Sequence, residues 1–138
     1  MKTIHFNISQ KSLDDKIKNR AHIDLLRSRI YLLDKDDRLL MTVYLENGNN
    51  TRQISRLTGL SRKSIARRIN ILTTRLLVGG FITCLRNRRK FNKHQMAIAK
   101  DYFLTGLSIK KITLKRRRSR YRVTDTIKKI KSILKECE

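Results

Sequence analysis

Apolar residues recur along this chain at helical rather than alternating spacing almost throughout, which predicts an all-α protein. Leu13, Ile17, Ala21, Leu26, Ile30 and Leu33 mark one stripe, and Ser12 with Asp15 three residues on forms a capping-box start. An N-terminal amphipathic helix is therefore expected over roughly residues 12–32. Asp34, followed by Asp37, opens a second helix lined by Leu39, Leu40, Val43 and Tyr44, with Gly48 as its left-handed stop. A short third helix begins near Thr51 with Ile54 and Leu57 facing inward. Gly59 ends it, since glycine adopts the positive φ of a tight turn without strain. Ser61 then caps a fourth helix whose Ile65, Ile69, Leu72 and Leu76 are spaced four, three and four apart.

The pattern then returns. Adding 58 to each position aligns residues 33–76 with 91–134 without a gap: Tyr44 meets Tyr102, Gly48 meets Gly106, Ile54 meets Ile112, and Ser61-Arg62 meets Ser119-Arg120. Ile69 meets Ile127 and Leu76 meets Leu134, while Arg52/Lys110, Ser55/Thr113, Ile65/Val123 and Leu72/Ile130 are conservative pairs. The matches fall on caps, turns and core positions, so the duplication is read as real. A short helix, a tight turn and a Ser-capped longer helix is how a helix-turn-helix reads. The expected architecture is two tandem helix-turn-helix units in about seven helices. Residues 1–32 form the N-terminal helix, 33–76 the first unit, 77–90 a connector, and 91–138 the second unit. Within the connector, Phe81–Leu85 with a turn at Asn87-Arg88 could instead make a short strand, a small wing over 81–90; the connector reading is favoured because only Phe91 remains before Asn92 opens the next helix.

Charge narrows the function. The chain carries 34 Lys plus Arg against 11 Asp plus Glu, a formal +23. Residues 1–50 hold 9 basic and 7 acidic side chains, residues 51–138 hold 25 and 4, and none between Glu46 and Asp101 is acidic. A surface made only for solubility mixes both signs, so the later part reads as a polyanion-binding surface. Phosphate backbones are the usual counterpart, because each neutralised phosphate releases condensed counterions. Cys84 and Cys137 lie outside any CxxC spacing, and His5, His22 and His94 have no ligand spacing, so neither metal nor other cofactor is expected. No nucleophile-base pair and no glycine-rich phosphate loop is found, and no enzyme is expected. The largely apolar stretch Leu76–Leu85 is about half the length needed to cross a bilayer. Together these features predict a cytoplasmic, nucleoid-associated protein with no membrane partner.

Residues Leu33–Leu76, LDKDDRLLMTVYLENGNNTRQISRLTGLSRKSIARRINILTTRL, resemble region four of bacterial sigma factors. The shared features are the capped first helix, its aromatic-Leu-acidic-x-Gly exit, the Ile-Ser of the support helix and the Thr-Gly-Leu-Ser-Arg turn. The second unit is similar at Tyr102–Ser108. The resemblance implies duplex DNA as partner and allows docking on RNA polymerase. A complete sigma factor also carries a promoter-melting domain, which is not expected within these 138 residues, so a complete initiation factor is not the expected reading. Two positions depart from the pattern: Gly59 becomes Arg117, and Val43 becomes Asp101 in an expected core.

In such a unit the recognition helix enters the major groove N-terminus first. Base-edge readers are therefore expected at Arg62, Lys63, Ala66 and Arg67 and, 58 residues on, at Arg120, Tyr121, Thr124 and Asp125. Phosphate holders are expected at Arg52, Gln53, Arg56 and Ser61, and at Lys110, Lys111, Arg116, Arg117, Arg118 and Ser119. Asp125 could equally pair with Arg122 or Lys129, and Tyr121 could belong to the core. The expected function is a transcriptional regulator acting as monomer or homodimer. The alternatives are a polymerase-docking accessory module, and a nonspecific architectural DNA or RNA binder.

Overall fold

A computed structural model describes residues 10–46 and 51–137, with side chains from Arg20 onward. The protein is all-helical, with no strand among the described residues. In chain order the elements are α1 (Gln10–Arg29), a 3-10 turn (Ile30–Leu32), α2 (Lys35–Glu46), α3 (Thr51–Thr58) and α4 (Arg62–Val78). They continue with α5 (Gly80–Arg86), a 3-10 turn (Arg88–Lys90), α6 (Lys93–Ala99) running into a π-helical turn (Lys100–Thr105), α7 (Ile109–Arg116) and α8 (Arg120–Glu136).

The 58-residue shift superimposes these boundaries. Lys35 and Lys93 begin α2 and α6; Thr51–Thr58 maps onto Ile109–Arg116, and Arg62–Val78 onto Arg120–Glu136. The shift also reaches further back than the sequence suggests: Ile30–Leu32 and Arg88–Lys90 are matching 3-10 turns, and α5 occupies the place of the last turns of α1. The segment expected to be a connector is thus the opening of the second unit.

The two turns explain the repeat's tolerance of its worst substitution. Gly59 sits at φ 75, and Arg117, at the same place in the second unit, sits at φ 54 and ψ 46. The Gly59 amide donates to the Ser55 carbonyl at 2.9 Å, and the Arg117 amide donates to the equivalent Thr113 carbonyl. The backbone path is kept, and the arginine bears the steric cost of the left-handed conformation, roughly 1 kcal/mol. Gly106, at φ 78, ends the π-helical turn; its counterpart Gly48 lies outside the described residues.

One continuous core runs through both units. Met41, Ile54, Ile65, Ile69, Leu72 and Leu76 fill the first, and Ile98, Leu104, Ile112, Val123, Ile127 and Ile130 the second. Each such aliphatic side chain contributes about 1.5–3 kcal/mol when fully withdrawn from water. Phe81 and Cys84 of α5 join this core, and Phe91 occupies the position of Leu33. Burial raises the Cys84 thiol to about 11, with Cys137 adding to it, so it stays protonated and packs as a small apolar group.

Several expectations need correction. Phe81–Leu85 is neither strand nor wing but helix α5, because Phe81, Ile82 and Cys84 turn inward from one short helix. Helix α4 runs on to Val78, two residues past the expected bound of the first unit. Helix α1 is already under way at Gln10, so Ser12 lies inside it, and it ends at Arg29. Within its described part, Leu26 is in the core and Ala21 is exposed; Leu13 and Ile17 of the expected stripe lie outside the described side chains. Gly79 breaks Arg62–Arg86, a stretch long and apolar enough by length and composition to cross a membrane, into α4 and α5.

Val43→Asp101 is the departure that most reshapes the second unit. Asp101 is 1% exposed, yet fully partnered. Arg116 donates to it from Nε at 2.7 Å and from Nη2 at 3.1 Å, and Lys115 donates from Nζ at 2.9 Å. Burial works against its charge, but these hydrogen bonds and the two cations outweigh burial and hold its pKa below the usual value.

Candidate nucleic-acid interface

The site is built from two helix starts. Ser61 has extended backbone, and its Oγ accepts the Ser64 amide at 3.1 Å; Ser119 does the same for Arg122 at 3.2 Å. Each cap satisfies one of the amides that a helix start leaves without a partner. The remaining amides and the helix dipole give the first turns of α4 and α8 a positive character that suits phosphate.

On α4, the core stripe Ile65-Ile69-Leu72 points inward and leaves Arg62, Lys63, Ala66 and Arg67 exposed on the opposite side. Arg68, next in the row, turns back: its guanidinium meets the Asp37 carboxylate at 2.6 and 3.0 Å, bracing α4 on α2. This bidentate pair supplies geometric as well as electrostatic fixation. Arg62, Lys63 and Arg67 have no carboxylate within ion-pair distance among the described residues.

The face of α8 differs. Arg120 and Tyr121 are exposed, Tyr121 to 79%, so the tyrosine is not a core residue. Thr124 and Asp125 are half-buried, and Asp125 pairs with Lys129 one helical turn on, at 3.3 Å. A carboxylate with an on-helix partner is less available to a cytosine amino group. Arg122, which the pattern of readers passed over, is also exposed in the first turn of α8.

Helices α3 and α7 precede these starts in the chain and carry the other expected cations. Arg52, Gln53 and Arg56 are exposed on α3, Lys110 and Lys111 on α7, and Arg117 and Arg118 at the second turn. Ser61 and Ser119 are exposed as well, with their oxygens engaged in capping. Arg116 is the exception: its Nε and Nη2 both donate to the buried Asp101, which commits it to the fold. The basic run Lys115–Arg118 therefore divides, its first half holding a buried carboxylate and its second half facing solvent.

Two further arginines, invisible to motif reading, set the spacing of the elements. Arg29 Nη1 donates to the Leu76 carbonyl at 2.6 Å, neutralising the negative end of α4. Arg75 Nη1 donates to the Leu104 carbonyl at 3.2 Å, tying α4 to the π-helical turn of the second unit. Compared with known proteins, no family model, curated protein or solved structure matches the chain.

Proposed function

We propose that the chain is a duplex-DNA-binding protein, a transcriptional regulator that reads DNA with α4 and α8 as recognition helices of two tandem helix-turn-helix units. The observation that carries this reading is the repeated exposed, Ser-capped helix start bearing cations that no carboxylate among the described residues neutralises. A polyanion is what such a surface lacks, and a helix about 10–12 Å across fits the major groove. Arg62, Lys63 and Arg67 reach base edges from α4, with Ala66 leaving room for a thymine methyl; Arg120, Tyr121 and Thr124 do so from α8. Arg52, Arg56, Lys110, Lys111, Arg117 and Arg118 hold phosphates and set register. The resemblance of Leu33–Leu76 to sigma region four supports the same docking.

Selection from random duplexes followed by competition tests the reading. Arg62→Ala and Arg67→Ala are expected to weaken the selected site by about 1–3 kcal/mol each and to relax it at defined base pairs. Arg52→Ala and Lys110→Ala are expected to weaken all duplexes alike. Indistinguishable behaviour of the two classes refutes the assignment.

A further inference from the structure

In the first unit, Asp36, Thr58 and Leu60 line one opening between α2, α3 and the turn at Gly59. Their counterparts 58 residues on are His94, Arg116 and Arg118. Lys35 and Lys93 open α2 and α6 alike, and the helices that follow keep matching bounds, so the same three places come together in the second unit. A corner that is acidic and apolar in one unit is basic in the other.

Helical spacing fixes which way His94 faces. Ile98 and Asp101 follow it four and seven residues later, on one side of α6 and its π-helical continuation. Ile98 is fully buried, and Asp101 accepts hydrogen bonds from Lys115 and Arg116, so that side meets α7 and the turn after it. His94 is half-buried at the outer end of this row, beside the exposed Arg117 and Arg118 of the turn. Burial, and then the charges of Arg118 and Arg116, hold its pKa below the ordinary 6.5, so the imidazole is neutral near pH 7 in the free chain.

The other groups on this side do not relieve that repulsion. Asp101 is already engaged by Lys115 and Arg116, and the charge of Asp34 bears on Arg116. On α8, Thr126 stands where the first unit has Arg68, and Arg122, one turn nearer the helix start, is a further cation. Lys93, the residue before His94, is exposed as well. A neutral histidine among cations, at the edge of a basic turn, lacks an anion.

We propose that His94, with Lys93 and Arg118, takes a backbone phosphate of duplex DNA, and that its imidazole gains a proton as the phosphate arrives. The inference rests on the DNA-binding reading and adds to it a phosphate contact outside the helix-turn-helix itself. In the free chain a proton on His94 is repelled by Arg118. With a phosphodiester between the two, the same proton is attracted. Binding and protonation then favour each other: affinity rises as pH falls through the pKa of the bound imidazole and levels off below the lower pKa of the free one. The first unit has no such response, because Asp36 offers a carboxylate in the same place. The pH dependence is a property of the second unit.

The test measures duplex binding at constant ionic strength at about pH 8 and about pH 5.5, on either side of the ordinary histidine range. Both lie above 3.8, the ordinary value from which Asp101 is lowered, so the ion cluster stays intact. The natural chain should bind about tenfold more tightly at the lower pH, the gain that a one-unit rise of the imidazole pKa on binding supplies. His94→Gln should lose that gain. His94→Lys, charged throughout, should bind more tightly than the natural chain at the higher pH and show no gain at the lower one. His22→Gln, at an exposed position of α1, should respond to pH as the natural chain does. Followed by NMR in the natural chain, the His94 imidazole should titrate about one unit higher in the complex than free; this reading decides alone if a His94 variant loses its helical signal. Equal pH dependence in the natural chain and His94→Gln, or an imidazole that titrates alike free and bound, overturns the proposal. Failure of the natural chain to bind duplex at either pH instead overturns the function beneath it.

Discussion

Replacing Asp101 tests whether the second unit is held by an ion cluster where the first is held by apolar packing. The carboxylate accepts three charge-assisted hydrogen bonds at 2.7 to 3.1 Å and is itself 1% exposed. Its cations are not buried to the same degree: the side chains of Lys115 and Arg116 are 42% and 32% exposed. In Asp101→Ala both can therefore regain water, which returns part of the loss, and the net cost is about 2–3 kcal/mol. In Arg116→Ala the carboxylate stays buried with Lys115 alone and has no route to solvent, so the cost rises to about 3–5 kcal/mol. Asp101→Val/Lys115→Leu/Arg116→Thr carries the first unit's residues into the second. It is expected to fall within about 1 kcal/mol of the natural chain, since apolar replacement of a whole buried cluster is often neutral. Urea unfolding at neutral pH, followed by far-ultraviolet circular dichroism, gives all three values. A loss below about 0.5 kcal/mol for Asp101→Ala, or a triple variant as unstable as the sum of its parts, would falsify this account of the cluster.

Other outcomes follow from single positions. Asp101 has a folded pKa below its unfolded value, so its stabilisation is present above the ordinary value of 3.8 and is lost as pH falls through the lower folded one. Acid unfolding of the natural chain should accordingly show a phase below that value that is absent from Asp101→Val/Lys115→Leu/Arg116→Thr. Arg117→Gly should raise the melting temperature, stabilising by up to about 1 kcal/mol as the left-handed arginine is relieved; an unchanged or lower melting temperature would mean that the arginine bears no such strain. Gly59→Ala, with open space around its Cβ, should cost about 1 kcal/mol from φ alone; a loss several times larger would mean that the turn is packed. Arg29→Ala should weaken the end of α4 by about 0.3–1 kcal/mol, visible as faster amide exchange at Leu76–Val78.

Much of the fold was legible because the repeat falls on residues whose physics is local. Ser61 and Ser119 cap, Gly59 turns, and Ile54 and Ile112 recur at core spacing, so helix boundaries related by 58 could be read off the chain itself. Alignment placed Arg117 at the turn position of Gly59 but did not settle its backbone, which is left-handed like that of Gly59. What stayed hidden depended on partners distant in sequence. No residue of 22–32 is identical to its counterpart in 80–90, so nothing in the pattern joined α5 and its 3-10 turn to the second unit. Apolar Ile30-Tyr31-Leu32 there becomes Arg88-Arg89-Lys90, and only the backbone is kept. Asp101 looked like a defect because its partners lie 14 and 15 residues on, in a basic run that reads as surface. For the same reason Arg116 passed for a phosphate holder. A carboxylate at a core position beside a dense basic run was the available clue.

Salt dependence of binding to a duplex long enough for a single copy is the sharpest check on polyanion recognition. With six to ten phosphates neutralised by Arg52, Arg56, Lys110, Lys111, Arg117, Arg118 and their neighbours, affinity should fall by about three to five decades between roughly 50 and 200 mM salt. Arg52→Ala should reduce the slope by about one, and Arg116→Ala should leave it unchanged. A shallow slope, or one as sensitive to Arg116 as to Arg52, would mean that the exposed cations are not what holds the duplex.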